Sequence, residues 1–187
     1  MTLIKEAPNF FRRIAAFGLD YLLIAGYLVV LAIVSSILAF GPMKDVWQGL
    51  LSSPERKDFF AFIAAILPVI VYFTLMESSE SGATVGKRRL GLRVVHKSGD
   101  RLSRWRALVR SVVKFLPWQV QHTCLFHIPG WPMETQEPPV WVVVGVVLAW
   151  VVILIYVVTL AVSPTRRTLY DWVSGSQVVM SRTEDDR

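Results

Sequence analysis

The sequence predicts an all-α polytopic membrane protein, with about four transmembrane helices and a small cytoplasmic β element. The chain is 53% hydrophobic and its mean hydropathy is +0.48, which is high for a soluble domain. Its apolar residues are concentrated in long runs, and its basic residues lie mostly in short segments beside those runs. All three observations are typical of a chain that crosses a bilayer several times.

Four apolar segments are candidate transmembrane helices, because about 20 apolar residues span the hydrocarbon core. They cover residues 14–40, 59–76, 109–128 and 140–162 of one membrane domain that takes in the whole chain, 1–187. Pro68 is expected to kink the second segment without preventing its insertion. The third is weak, because Lys114, Pro117 and several polar side chains interrupt it.

The positions of the basic residues predict the topology. With four crossings and both termini inside, seventeen of the twenty Lys and Arg face the cytoplasm and three face outside. Ten of the seventeen lie between residues 78 and 114, beginning with the loop 78–108, and others lie in the tail 163–187. This asymmetry predicts a multi-pass membrane protein with both termini in the cytoplasm, whose basic loop faces anionic headgroups.

Two β-prone runs, residues 92–96 and 177–180, fall on the same predicted side of the membrane and are expected to pair. Ser103 is a predicted N-cap for a helix that begins near Arg104. The small cytoplasmic β element of the predicted fold consists of these two runs.

Asp20 lies inside the first apolar run, so it is expected to face protein or trapped water rather than lipid. One interpretation makes it a cation or proton site, and the other makes it an ionised group paired with an arginine. Arg13 lies on the same helix face, but a rise of about 10 Å makes it a poor direct partner. The candidate partners are Arg13, Arg110, Arg166 and Arg167.

Several other chemistries are not supported by the residues. Gly82, Gly86 and Lys87 resemble a phosphate loop only superficially, because the spacing is one residue short, and a tight turn explains the glycines better. The run from His122 to His127 contains metal-ligand types, but too few of them share a helix face, so no metal site is predicted. No nucleophile–base pattern occurs, and neither an enzyme, a cofactor nor a nucleic-acid partner is predicted.

Four blocks of sequence resemble the RDD family of small bacterial integral membrane proteins. The blocks are R-I-A-A-F-G-L-D (residues 13–20), G-A-T-V-G-K-R-R-L-G-L-R-V-V with S-G-D after it (82–100), Arg110, and L-Y-D-W-V-S-G-S-Q-V-V (169–179). Tyr170 stands where the family usually has His, and Ser176 where it usually has Thr.

The resemblance implies a multi-pass membrane protein for which a role in transport is often proposed. The Arg and two Asp that name the family correspond to Arg13, Asp20 and Asp171. The supporting motif positions are Glu77, Gly82, Gly86, Lys87, Arg110 and Gly175. Glu77 is expected beside Lys87 or Arg88, and Asp171 is expected to accept hydrogen bonds from the backbone or an arginine.

Two functions are compatible with this sequence. One is a transporter or ion-handling membrane component, motivated by Asp20; four short helices would then need a homo-oligomer or another membrane partner. The alternative is a non-transporting scaffold or assembly factor, whose basic loop and tail hold a cytoplasmic partner or anionic lipid.

Overall fold

The computed structural model describes residues 7–131, 134 and 136–181, which form seven helices and two strands. Residues 1–6 and 182–187, the ends of the predicted cytoplasmic lead and tail, lie outside the described residues. The helices are α1 (Phe10–Phe40), α2 (Lys44–Leu50), α3 (Pro54–Glu77), α4 (Val85–Arg89), α5 (Arg104–Phe126), α6 (Val140–Val162) and α7 (Leu169–Ser174). The strands are β1 (Leu92–His96) and β2 (Ser176–Met180).

In the described part of the chain, three helices are long and apolar enough to cross a membrane, namely α1, α3 and α6. Helix α5 is not one of them, so the expected fourth crossing at residues 109–128 is not confirmed. The physical reason is composition, because α5 has two arginines in its first turn and carries Arg110 and Lys114 within its apolar part. The polytopic helical fold itself is confirmed.

The hydrogen-bond pattern of α3 changes locally beside Pro68. Residues Phe62–Ile66 form a π-helical segment just before the proline, and the Leu67 N–H donates to the Phe62 carbonyl. Proline has no N–H to donate to the carbonyl of residue 64. The Tyr27 hydroxyl donates to that oxygen of Ala64 instead. A π segment beside a proline is one of the known causes of a bend in a helix.

The described chain divides into two compact units. Unit 1 comprises residues up to 24, 70–114 and from 154 onward, and unit 2 comprises 25–69 and 115–153. In unit 2 the carboxylate of Asp58 accepts hydrogen bonds from Gln119 and Thr123, each at 2.9 Å. These bonds fasten the start of α3 to the second half of α5.

Unit 1 contains the predicted sheet. Strands β1 and β2 pair antiparallel, with Leu92 opposite Met180 and His96 opposite Ser176. One face of the sheet is buried in a core cluster made of Ala16, Leu92, Val94, Leu102, Ala107 and Val178. The sheet therefore packs against the start of α1 and the start of α5, which holds both helix ends at a fixed place beside the motif residues.

Candidate functional site

Six charged side chains of unit 1 form a buried charged network, and none is more than 8% exposed. They come from α1, α3, α4, α5 and α7, and they are Arg13, Asp20, Glu77, Lys87, Arg110 and Asp171. Three are acidic and three are basic, and Lys114, which is 5% exposed, lies beside them as a seventh buried ionisable side chain. Burial of charges is tolerated only with such pairing and with hydrogen bonds to the remaining polar atoms.

Asp171 joins the two ends of the chain. It is the third residue of α7, where its carboxylate accepts from the N–H and the hydroxyl of Thr168 at 2.9 and 2.8 Å, completing a capping box. Arg13 Nη2 lies 2.8 Å from Asp171 Oδ2, and Arg110 Nη2 lies 2.8 Å from Oδ1. Burial alone would raise the pKa of Asp171, but the two guanidinium groups outweigh it and hold that pKa well below its usual range.

Arg110 connects Asp171 to the end of α3. Its Nη1 lies 2.6 Å from Glu77 Oε2 and 2.8 Å from Oε1, which makes a bifurcated charge-assisted contact. Lys87 contacts the same carboxylate, with its Nζ 3.0 Å from Glu77 Oε1. The expected partner of Glu77 is thus confirmed as Lys87, whereas Arg88 donates to Ser81 instead.

Asp20 is held by helix α4 and by a tyrosine of α3. Its Oδ1 accepts from the Gly86 N–H at 2.8 Å and the Tyr72 hydroxyl at 3.2 Å. Its Oδ2 accepts from the Thr84 hydroxyl at 2.5 Å and lies 3.9 Å from Lys87 Nζ. Asp20 is fully buried, as expected of a carboxylate within an apolar helix.

The predicted arginine partner of Asp20 is therefore wrong. Arg13 and Arg110 are engaged with Asp171 and Glu77. Arg166 and Arg167, the other two candidates, donate to the backbone carbonyls of Ala161 and Ser176. What decides the pairing is the short helix that follows Thr84, because the N–H of Gly86 has no partner within the helix and donates to the carboxylate.

The three motif glycines have different roles. A Cβ on Gly86 would clash with the Ala16 carbonyl oxygen and lie 3.0 Å from Asp20 Cγ, so only glycine allows α4 to approach α1 this closely. Gly175 ends α7 in the left-handed conformation, with φ 66°. The carbonyl of Gly82 accepts a 2.7 Å hydrogen bond from Val94, which attaches the turn before α4 to β1.

Lys114 lies beside this network and sequence reasoning did not select it as a site residue. Its ammonium lies 3.6 Å from the centroid of the Phe73 ring and 4.8 Å from that of Phe17. Cation–π contacts of this kind stabilise a desolvated ammonium. Burial also raises the pKa of Tyr170, whose ring lies 6.0 Å from the same ammonium.

Other contributors to the site were missed at the sequence level. Thr84 and Thr168 both act as N-caps, and the spacing Thr-x-x-Asp at residues 168–171 is a recognisable capping signal. Tyr72 sits within an apolar run, where no local pattern marks it as a hydrogen-bond donor to Asp20.

Among the residues that the structure describes, no group of three or more His, Cys, Asp or Glu side chains is placed to hold a metal ion. The ring nitrogens Nδ1 of His122 and His127 bond to backbone oxygens one turn earlier, at 2.8 and 2.7 Å. These two histidines complete helix hydrogen bonding in unit 2.

The profile of the RDD family matches residues 7–175, which is nearly the whole chain. The chain belongs to the RDD family. No curated protein and no solved structure matches it. In this RDD protein the family's arginine and second aspartate, Arg13 and Asp171, form an ion pair with 2.8 Å between Nη2 and Oδ2. The first aspartate, Asp20, binds the start of α4 and is linked to the other two through Lys87, Glu77 and Arg110.

Proposed function

We propose that this RDD membrane protein is a non-transporting scaffold of a bacterial inner membrane, with both termini in the cytoplasm. The observation that supports the proposal is that all six oxygens of the three buried carboxylates accept hydrogen bonds from the protein itself. A network with every member satisfied rigidifies a fold.

A transported cation would have to displace those donors. Oxygen-ligated cations need several oxygens at short distance, six to eight in the case of Ca²⁺. In this network the carboxylate oxygens of Asp171 and Glu77 are already occupied by Arg13, Arg110 and Lys87. Removing a guanidinium from a buried carboxylate strands a charge, which costs about 3–5 kcal/mol.

The scaffold holds its partner through basic side chains outside the network. Arg88, Arg101 and Arg104 are exposed and lie on the segment that the charge distribution assigns to the cytoplasm. The small sheet supports this segment, since Val95 forms a bridge to Arg101. A rigid core with an exposed cationic surface is suited to holding an anionic partner at the membrane.

Ion handling is the second candidate function, and one observation favours it. Lys87 Nζ lies among three acceptors, 3.0 Å from Glu77 Oε1, 3.4 Å from Thr84 Oγ1 and 3.9 Å from Asp20 Oδ2. A small cation at this position would compete with the ammonium for the same three acceptor oxygens.

Reconstitution into liposomes tests the two candidates. Purified protein is exposed to imposed Na⁺, K⁺ and proton gradients, and internal pH and cation content are followed with fluorescent reporters. If the protein is a scaffold, its liposomes should leak protons and cations at the same rate as protein-free liposomes. The scaffold is refuted, and ion handling is supported, by a cation flux with two properties. Lys87→Met abolishes this flux, and the exposed-site variant Arg89→Gln retains it.

A further inference from the structure

An open pocket of about 490 Å³ lies in unit 1, directly after the membrane helix α3 ends. The turn at residues 78–81, with the sequence Ser-Ser-Glu-Ser, forms one wall. Three arginines and one leucine form the rest, namely Arg88, Arg101, Arg104 and Leu75. This volume is within the range of small-molecule sites, about 300–1,000 Å³.

The pocket is cationic and rich in hydrogen-bond donors. Its three guanidinium groups face one carboxylate, Glu80, which leaves a formal charge of +2. Arg88 Nη2 donates to Ser81 Oγ at 3.0 Å, and Arg101 Nε donates to the Ser78 carbonyl at 2.7 Å. Each guanidinium has five N–H groups, so these bonds orient the arginines and leave further donors for a ligand. Planar guanidinium groups suit phosphate oxygens particularly well.

Arg104 occupies a position that helix stability does not favour. It is the first residue of α5, whose first turn has no acidic side chain. The N-terminus of a helix carries partial positive charge, so a cation there is unfavourable. A bound anion would reverse that effect, because it would interact favourably with both the arginine and the helix.

Leu75 gives the pocket an apolar side. It lies in the last turn of α3 and is 56% exposed, so the exposed apolar surface of this helix continues into the pocket. A free phosphate ion would make no use of this surface. An amphiphile with a phosphate head and an acyl chain would use both the arginines and the leucine.

We propose that this pocket binds the phosphate headgroup of an anionic phospholipid, with its acyl chain running along Leu75. The proposal rests on the scaffold function and deepens it, because it names a lipid as one partner of the exposed basic segment. The proposal also limits the lipid site to some arginines of the basic segment. Arg110 is buried in the charged network, and Arg106 donates to the Ser174 carbonyl. Neither of these arginines belongs to the pocket.

Native mass spectrometry of the full chain in detergent measures the binding. Phosphatidylglycerol is titrated against wild type, against the double variant Arg88→Gln/Arg104→Gln, and against Arg89→Gln as the control. Arg89 is exposed on the same short helix but does not line the pocket. Loss of two charge-assisted contacts should weaken binding by roughly tenfold or more, whereas the control should stay within about twofold.

A second comparison separates lipid from free phosphate. Leu75→Ala should weaken binding of long-chain phosphatidylglycerol and leave a short-chain analogue unaffected. Inorganic phosphate competing as well as the lipid does would overturn the lipid assignment, and an equal loss in Arg89→Gln would reduce the site to a diffuse basic surface. Thermal melts of each variant identify any that fails to fold. If the double variant fails to fold, Arg104→Lys is compared with wild type instead. Liposome flux tests the scaffold function separately, so a failure of the lipid site can be distinguished from a failure of the scaffold function.

Discussion

Removing the charge of Asp171 should destabilise this protein more than removing any exposed carboxylate. Asp171→Asn keeps the shape of the side chain but replaces one acceptor oxygen with an NH₂ group. In wild type that carboxylate accepts from Arg13, Arg110 and Thr168. The new NH₂ group cannot accept a hydrogen bond, so it would leave some of these donors without an acceptor. Arg13 would also lose its carboxylate partner.

The magnitude follows from the burial of these groups. Asp171 is 0% exposed and Arg110 is 1% exposed, so water cannot replace the lost interactions. Stranding one member of a buried ion pair typically costs about 3–5 kcal/mol. Folded proteins are stable by only about 5–15 kcal/mol, so the variant should lose a large fraction of its stability. For a chain of this size the melting temperature should fall by about 6–20 °C.

Thermal unfolding in detergent, followed with a thiol-reactive fluorophore, provides the measurement. Cys124 is the chain's only cysteine, but it lies in unit 2. Replacing the buried Ser111 with cysteine in a Cys124→Ala background places the only thiol in unit 1. Asp45→Asn is the control, because Asp45 is exposed and its loss should cost about 1 kcal/mol or less.

The double variant Arg13→Gln/Asp171→Asn completes the test. It should be more stable than the sum of the two single effects predicts, by about 0.5–3 kcal/mol, because contacting residues couple. Strict additivity would refute the ion pair as the cause. A melting temperature for Asp171→Asn within 2 °C of the Asp45→Asn control, about the effect of 1 kcal/mol, would refute the reasoning as a whole.

Three further predictions concern packing, pH and topology. Gly86→Ala should lower the free energy of unfolding by about 1–3 kcal/mol, because its Cβ would clash with the Ala16 backbone. In the control Gly18→Ala the new Cβ meets no atom within 4 Å, so the free energy of unfolding should rise by about 0.5–1 kcal/mol. Equal effects of the two substitutions in a thermal melt would exclude the clash. The lowered pKa of Asp171 means that its stabilisation is complete above the unfolded pKa of about 3.9 and is lost as pH falls further. The melting temperature of wild type should therefore drop below about pH 4 more steeply than that of Asp171→Asn, and parallel curves would contradict this. Reporter fusions after Asp100 and Glu134 should read inside and outside; an inside result at Glu134 would mean that α5 does not cross.

Long elements with one dominant signal could be predicted from the sequence. Residues 140–162 form α6 with the predicted ends, because the run is almost uninterrupted by polar side chains. The pairing of β1 with β2 was predictable from two β-prone runs on the same predicted side of the membrane. Composition gave no clear signal for or against the crossing assigned to residues 109–128, because α5 mixes apolar residues with four basic ones.

The detailed pairing within the site could not be predicted. The sequence shows which arginines could lie near Asp20, but it does not show which of them are bound by another carboxylate. Arg110, for example, contacts both Glu77 and Asp171. The actual partner of Asp20 is a helix of five residues, α4, which is too short to produce a periodic pattern. Its position depends on the close approach of Gly86 to α1, a three-dimensional fact that no local window contains.

The ion pair between Arg13 and Asp171 joins residues 158 positions apart, and this has a consequence for biosynthesis. At about 5–20 residues per second, a ribosome needs roughly 8–30 s to reach Asp171 after it has made Arg13. Lys87 follows Glu77 by only ten residues, so that pair can form within about two seconds. The nascent chain therefore holds Arg13 uncompensated for almost the whole of translation. A chain that ends before α7 lacks the carboxylate that pairs with Arg13 in the folded protein.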